Sequence, residues 1–243
     1  MERQLQASDP LMIDWTDRYR ATLSDLDRYR DLVDATLALG AHRRPELDPD
    51  AAHGRLESIA HRVRCQVPHL ASRSGMSGPR SVDGVLAHLH ESLFEELGLG
   101  RNSDVVPHPD AMDLDLVLQG VPGLPVACGL VFCAVAERVG LDAFGLDLTG
   151  RFLVSIRDVA NRRITVLDPA QGGRIVDGDD FRELAREIDD TMDPRQLLEP
   201  ALPAVWLRRW LKDLALASAR SGEVHLLDSW ARLSTETESI LGT

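Results

Sequence analysis

The run G-L-P-V-A-C-G-L-V-F-C-A-V-A-E-R-V-G, residues 123–140, is nearly apolar from Pro125 to Val139 and closes on Gly140. A helix that is apolar all round has to be buried on most sides. Pro125 suits its first turn, where a missing N–H has no intrahelical bond to lose. The pattern then changes period. Ala143 to Leu148, Phe152 to Arg157 and Arg163 to Leu167 read as three short strands, and the short connections make them antiparallel. D-V-A-N-R-R, residues 158–163, suits a hairpin between the second and third, and Gly172-Gly173 forms a further turn.

Towards the N-terminus the chain reads helical. Leu26, Tyr29, Leu32, Val33, Thr36, Leu37 and Leu39 approximate one apolar stripe. Pro45 and L-D-P-D break it, and either Asp48 or Asp50 caps the next helix, in which Leu56, Ile59, Ala60 and Val63 recur at helical spacing. S-R-S-G-M-S-G-P-R (72–80) has the composition of a loop. It lacks the lysine and the preceding strand of a phosphate-binding loop. Ser81 is the expected N-cap of another helix, and a short helix from Ala111 to Leu118 precedes the central run.

Beyond Asp177, whose acidic neighbours Asp179 and Asp180 suit a helix start, the chain is helical again. Residues 204–220 and 223–236 form a hairpin of two amphipathic helices, with Trp206, Trp210, Leu214, Leu226, Leu227, Trp230 and Leu233 on the facing sides. The expected fold class is therefore α+β. It is mostly helical, with a small antiparallel sheet packed on a buried helix and a C-terminal helical hairpin. The expected division is a core domain over 1–190 and the hairpin over 191–243.

Composition narrows the function. The 243 residues are 44% hydrophobic and 27% charged, with a net charge of -12. Such a surface repels phosphate backbones and anionic membranes, so neither nucleic acid nor membrane is an expected partner, whereas a basic protein surface would be steered towards it. No run reaches the about 18 apolar residues that suggest a membrane span. The opening M-E-R-Q-L-Q-A-S-D has no signal-type apolar stretch, so a cytoplasmic location is expected. Cys65, Cys128 and Cys133 are an odd set with no metal-site spacing, which points to reduced thiols. His88 and His90, two apart on a helix, point to different sides, and His53 and His61 are poorly spaced for one ion. No metal and no cofactor are expected.

The motifs E-S-L-F-E-E-L-G-L-G-R-N (91–102), V-L-Q-G-V-P-G-L-P (117–125), the helix to Gly140, G-L-D-L-T-G-R-F-L-V (145–154) and V-L-D-P-A-Q-G-G (166–173) occur in an order that resembles the transglutaminase-like superfamily. More narrowly the chain resembles its bacterial SirB-type branch, which ends in tetratricopeptide-like helices. The resemblance runs over roughly residues 25 to 235. It implies a papain-like core in which a Cys opens the buried helix, a His sits on a neighbouring strand and an Asp on the next.

In that layout the Cys position is Pro125, as is common in the SirB-type branch, and the His position is Arg151, where the branch usually reads G-H-F. Only the acidic position survives, as Asp168. Arginine stays protonated and cannot act as a base near neutral pH. An ion pair between Arg151 and Asp168 would be the natural replacement for a His–Asp pair. Cys128, three residues after Pro125, is either packed core or a substitute nucleophile, and His108 either lies at the surface or reaches the old cleft. Trp206 and Trp210, beside Arg208 and Arg209, are either core or, if exposed, a partner-binding face.

The resemblance leads to the expectation of a catalytically degenerate accessory or scaffolding subunit that binds and supports a partner protein, such as a biosynthetic enzyme. Arg151, Asp168, His108, Trp206 and Trp210 are the candidate binding residues. The rival expectations are an enzyme of altered chemistry using Cys128 or Arg151, and a small-acid sensor anchored on Arg151.

Overall fold

The computed structural model describes residues 14–24, 26, 29–73, 81–101, 107–148, 150–188 and 193–242. Of the loop expected over 72–80, Ser72 and Arg73 belong instead to the end of the long helix Pro49–Arg73, and 74–80 lie outside the described residues. Preceding the central helix are α1 (Trp15–Leu23), α2 (Tyr29–Arg43), α3 (Pro49–Arg73), α4 (Val82–His90) and the single turn α5 (Leu114–Val117). Ser81 caps α4 by accepting from the Gly84 amide at 3.2 Å. Of the two candidate caps of α3 it is Asp48 that serves, accepting from the amides of Asp50 and Ala51. The expected helix over 111–118 is broken into a 3₁₀ turn at Pro109–Ala111 followed by α5.

The central helix α6 (Pro125–Arg138) has eleven consecutive buried residues, Val126 to Ala136. Gly140, at φ +84°, takes the left-handed conformation that ends the helical path. Against α6 lies a four-stranded antiparallel sheet in sequential order: β1 (Asp142–Leu148), β2 (Arg151–Asp158), β3 (Arg163–Asp168) and β4 (Arg174–Val176). The first three follow the alternation in the sequence. The fourth follows the expected turn at Gly172-Gly173, where no strand was expected: three residues are too few to show a period of two.

Alternation along the strands sorts the side chains by face. Phe152, Val154 and Ile156 of β2, with Leu167 of β3, join the large core around α6. Phe144, Leu146, Leu148, Leu153 and Val166 join a second, smaller cluster with Phe181 and Leu184 of α7 (Gly178–Ile188). Asp177 caps α7, accepting from the Asp179 and Asp180 amides at 2.8 Å each. The sheet is thus a partition, with α6 on one side and α7 on the other.

The C-terminal hairpin, α8 (Pro203–Ser221) and α9 (Leu227–Leu241), packs its apolar stripe into the α6 core. Trp206 and Trp210 are 2% and 1% exposed. The partner-binding face expected of them is therefore ruled out. Trp206 meets Phe152 edge-on at 4.4 Å and Tyr29 at 5.9 Å. The reason is steric: β1 carries Gly145 where the indole arrives, and a β-carbon there would stand 2.2 Å from it. Trp230 donates its indole N–H to Ser218 Oγ at 3.1 Å, which satisfies the one polar group it buries.

Candidate functional site

At the start of α6, Pro125 supplies no nucleophile. Cys128, one turn on, is fully buried. Its Sγ donates to the Gly123 carbonyl at 3.3 Å. Above it the backbone is closed by Gly100, which accepts from the Gly172 amide at 3.1 Å. A β-carbon on Gly100 would lie 1.9 Å from the Pro169 carbonyl oxygen, so only glycine permits this lid. Burial pushes the Cys128 thiol up to about 12, and the nearby Asp168 charge adds to the rise against hydrogen bonds from Gly100 and Gly123. The thiol is thereby held in its protonated form. This setting is that of packed core rather than of an accessible, electropositive thiol site. Cys133, equally buried, is pushed to about 12 for the same reason.

Asp168 ends β3 and is 5% exposed. Its Oδ1 accepts from the Ala170 amide at 2.9 Å, which caps the 3₁₀ turn Pro169–Gln171. Burial raises its carboxyl above the usual carboxylate range, opposed by the Ala170 amide and by the charge of Arg151.

Arg151 opens β2 opposite Leu148, a member of the α7-side cluster. Arg151 and Asp168 line one cavity of about 120 Å³ together with Leu153, Arg174 and residues of α7. They do not form the expected ion pair: the guanidinium is exposed, and the carboxylate is turned to the backbone that follows it. Pro125 and Cys128 belong to the helix across the sheet. Asp168 stands between the two sides: its charge acts on Cys128, and that of Arg151 acts on it.

His108 sits before the 3₁₀ turn Pro109–Ala111, where its Nδ1 accepts from the Asp110 amide at 3.2 Å. It is half exposed and does not line the Arg151 cavity. Among the described residues no group of three or more His, Cys, Asp or Glu converges as metal ligands would.

A buried charge cluster escaped sequence reasoning. Arg43, 8% exposed at its side chain, bonds Asp110, reaches Asp113 at 2.5 Å and meets Glu223 at 3.1 Å. Arg44 joins Asp113 and Asp115, each at 3.2 Å. Asp113 is 2% exposed, and burial pushes it up to about 6 against the pull of Arg43 and Arg44. The cluster ties the end of α2 to the segment before α6 and to the bend between α8 and α9. The visible signal was R-R at 43–44 beside D-A-M-D-L-D at 110–115, but nothing local couples two segments so far apart in the chain.

A family model described as the transglutaminase-like superfamily matches residues 50–212. A UPF0162 protein of Xylella fastidiosa strain Temecula1 is 27% identical over 220 residues, covering 88% of this chain and 72% of the relative. A UPF0162 protein of Pseudomonas aeruginosa is 27% identical over 194 residues, covering 79% of this chain and 66% of that relative. Those names state no activity. No solved structure matches.

Proposed function

The chain belongs to the transglutaminase-like superfamily, and from that premise we propose that it has given up acyl-transfer chemistry and works by binding a partner protein. The observation that carries this is the state of the α6 entrance: proline at the thiol position, and a neighbouring thiol buried, lidded by Gly100 and held protonated. Arg151 adds to it, because a permanent cation on the α7 side of the sheet replaces the base such chemistry needs. The narrower assignment to a SirB-type branch, with α8 and α9 as a tetratricopeptide-like pair, belongs to the same proposal. The partner is a protein with a basic surface, such as a biosynthetic enzyme that the chain stabilises, since the net charge of -12 favours such an encounter. A cytoplasmic setting accords with the unpaired thiols.

The experiment has two arms. The full chain is co-expressed with the products of adjacent genes and passed through affinity and size-exclusion columns. A stoichiometric complex whose yield falls as salt is raised is expected. In the second arm the chain and Cys128→Ser are assayed on amide, ester and thioester substrates. Turnover that disappears in Cys128→Ser would overturn the proposal, as would a strictly monomeric chain in every co-expression.

A further inference from the structure

The cavity between α7 and the sheet has a charge arrangement that the fold leaves unpaired in part. Arg174 and Asp180 at its rim pair with each other at 3.1 Å. Asp168 is engaged by the Ala170 amide. That leaves Arg151 from the sheet and Glu183 and Glu187 from α7. Among the described residues none of these three has an ion-pair partner, although all three line the same cavity. Opposite charges that face one cavity without meeting leave a gap between them. Its volume of about 120 Å³ is about four times a water molecule's share of liquid volume. Leu153, Val176 and Leu184 give the gap an apolar wall.

We propose that this cavity binds a small zwitterion of the amino-acid class, with its carboxylate on Arg151 and its ammonium on Glu183 and Glu187. The guanidinium fork matches a carboxylate in two parallel hydrogen bonds. Glu183 and Glu187, four apart on one helix, repel each other, and an ammonium between them turns that repulsion into attraction. A simple anion would meet Arg151 but also the carboxylates of Asp168, Glu183 and Glu187. A simple cation would satisfy the glutamates and leave Arg151 beside it. Only a ligand carrying both charges matches the arrangement. The zwitterion reading does not depend on the proposed protein partner.

Thermal unfolding of the full chain tests this with glycine, L-alanine, L-serine, β-alanine and 4-aminobutyrate, using propionate and propylamine as single-charge controls. At about 10 mM ligand, at least one zwitterion is expected to raise Tm by about 2 °C or more, and neither control does so. Arg151→Gln and the double variant Glu183→Gln/Glu187→Gln abolish the shift. These residues are exposed, so the ligand-free Tm of the variants stays within about 1 °C of the parent. Calorimetric titration with the stabilising zwitterion is expected to give about tenfold weaker binding to Arg151→Gln. The proposal is overturned if no zwitterion shifts Tm, if a single-charge control shifts it equally, or if Arg151→Gln keeps the affinity.

Discussion

The Cys128 thiol points back at the Gly123 carbonyl, 3.3 Å away, inside the entrance turn of α6. A nucleophile has to face outward to substrate. This one faces the backbone that precedes its own helix, beneath a lid that only glycine at 100 allows.

Thiol accessibility follows directly. Cys65 is exposed, while Cys128 and Cys133 are buried with thiols at about 12. In a disulfide-exchange assay at pH 8 the native protein is expected to release one equivalent of chromophore promptly and three after denaturation. Cys128→Ser leaves the native count at one, and Cys65→Ser removes it. Prompt labelling of Cys128 in the native state would contradict the buried setting.

Two glycines are expected to respond to the same substitution with opposite signs. A β-carbon on Gly145 would meet Trp206 at 2.2 Å and Phe152 at 2.8 Å, so Gly145→Ala overpacks the core and costs about 1–3 kcal/mol. Gly54 lies in α3 with nothing within 4 Å of the new atom. Gly54→Ala is expected to stabilise by about 0.4–1 kcal/mol through the unfolded chain. Urea unfolding at equilibrium measures both, and equal effects would refute the close approach of Trp206 to β1.

Asp168 and Arg151 are separable by mutation. If Asp168 acts through its cap on Ala170, Asp168→Ala costs about 1 kcal/mol and Asp168→Asn, which keeps an acceptor, costs less. Arg151→Gln, at an exposed position with no ion pair among the described residues, changes stability by about 0.5 kcal/mol or less. A coupling of 1 kcal/mol or more between the two positions in a double-mutant cycle, about twice the additivity error for distant sites, would restore the direct pair.

The buried cluster predicts a pH effect. Removing Arg43 leaves Asp113 buried beside Arg44 alone, and Arg43→Ala is expected to cost about 3–5 kcal/mol at pH 7.5. Asp113 already titrates near 6, above its unfolded value, and loses a guanidinium in the variant, so its folded pKa rises further. A carboxyl with a raised folded pKa binds more protons folded than unfolded, so its contribution is favourable at low pH and is lost as pH rises through that value. The deficit of Arg43→Ala relative to the parent is therefore expected to shrink as pH falls from about 7.5 to about 5. Urea midpoints at the two pH values check the sign, and a deficit that grows on acidification would refute it.

What the residues made legible, they made legible locally. An all-apolar run that begins in proline and ends in glycine is a buried helix wherever it occurs. The alternation through 143–167 made strands of the next segment, and Ser81 and Asp177 announced their helices. Three-residue β4 exists because the edge of β3 was open to it, which no local pattern could signal. Trp206 and Trp210 lie on an apolar stripe that reads the same whether it meets a core or a partner.

By itself, the amino-acid order determined the α+β frame, a proline at 125 and an arginine at 151, and the strong acidity of the chain. Only the tertiary structure decided where those positions point. The sheet divides α6 from α7, and strand parity sends Arg151 to the α7 side, away from the helix that carries Pro125 and Cys128. The physical reason is that parity, burial and a glycine lid depend on pairing register and on segments distant in the chain, and these exist only once the core has closed.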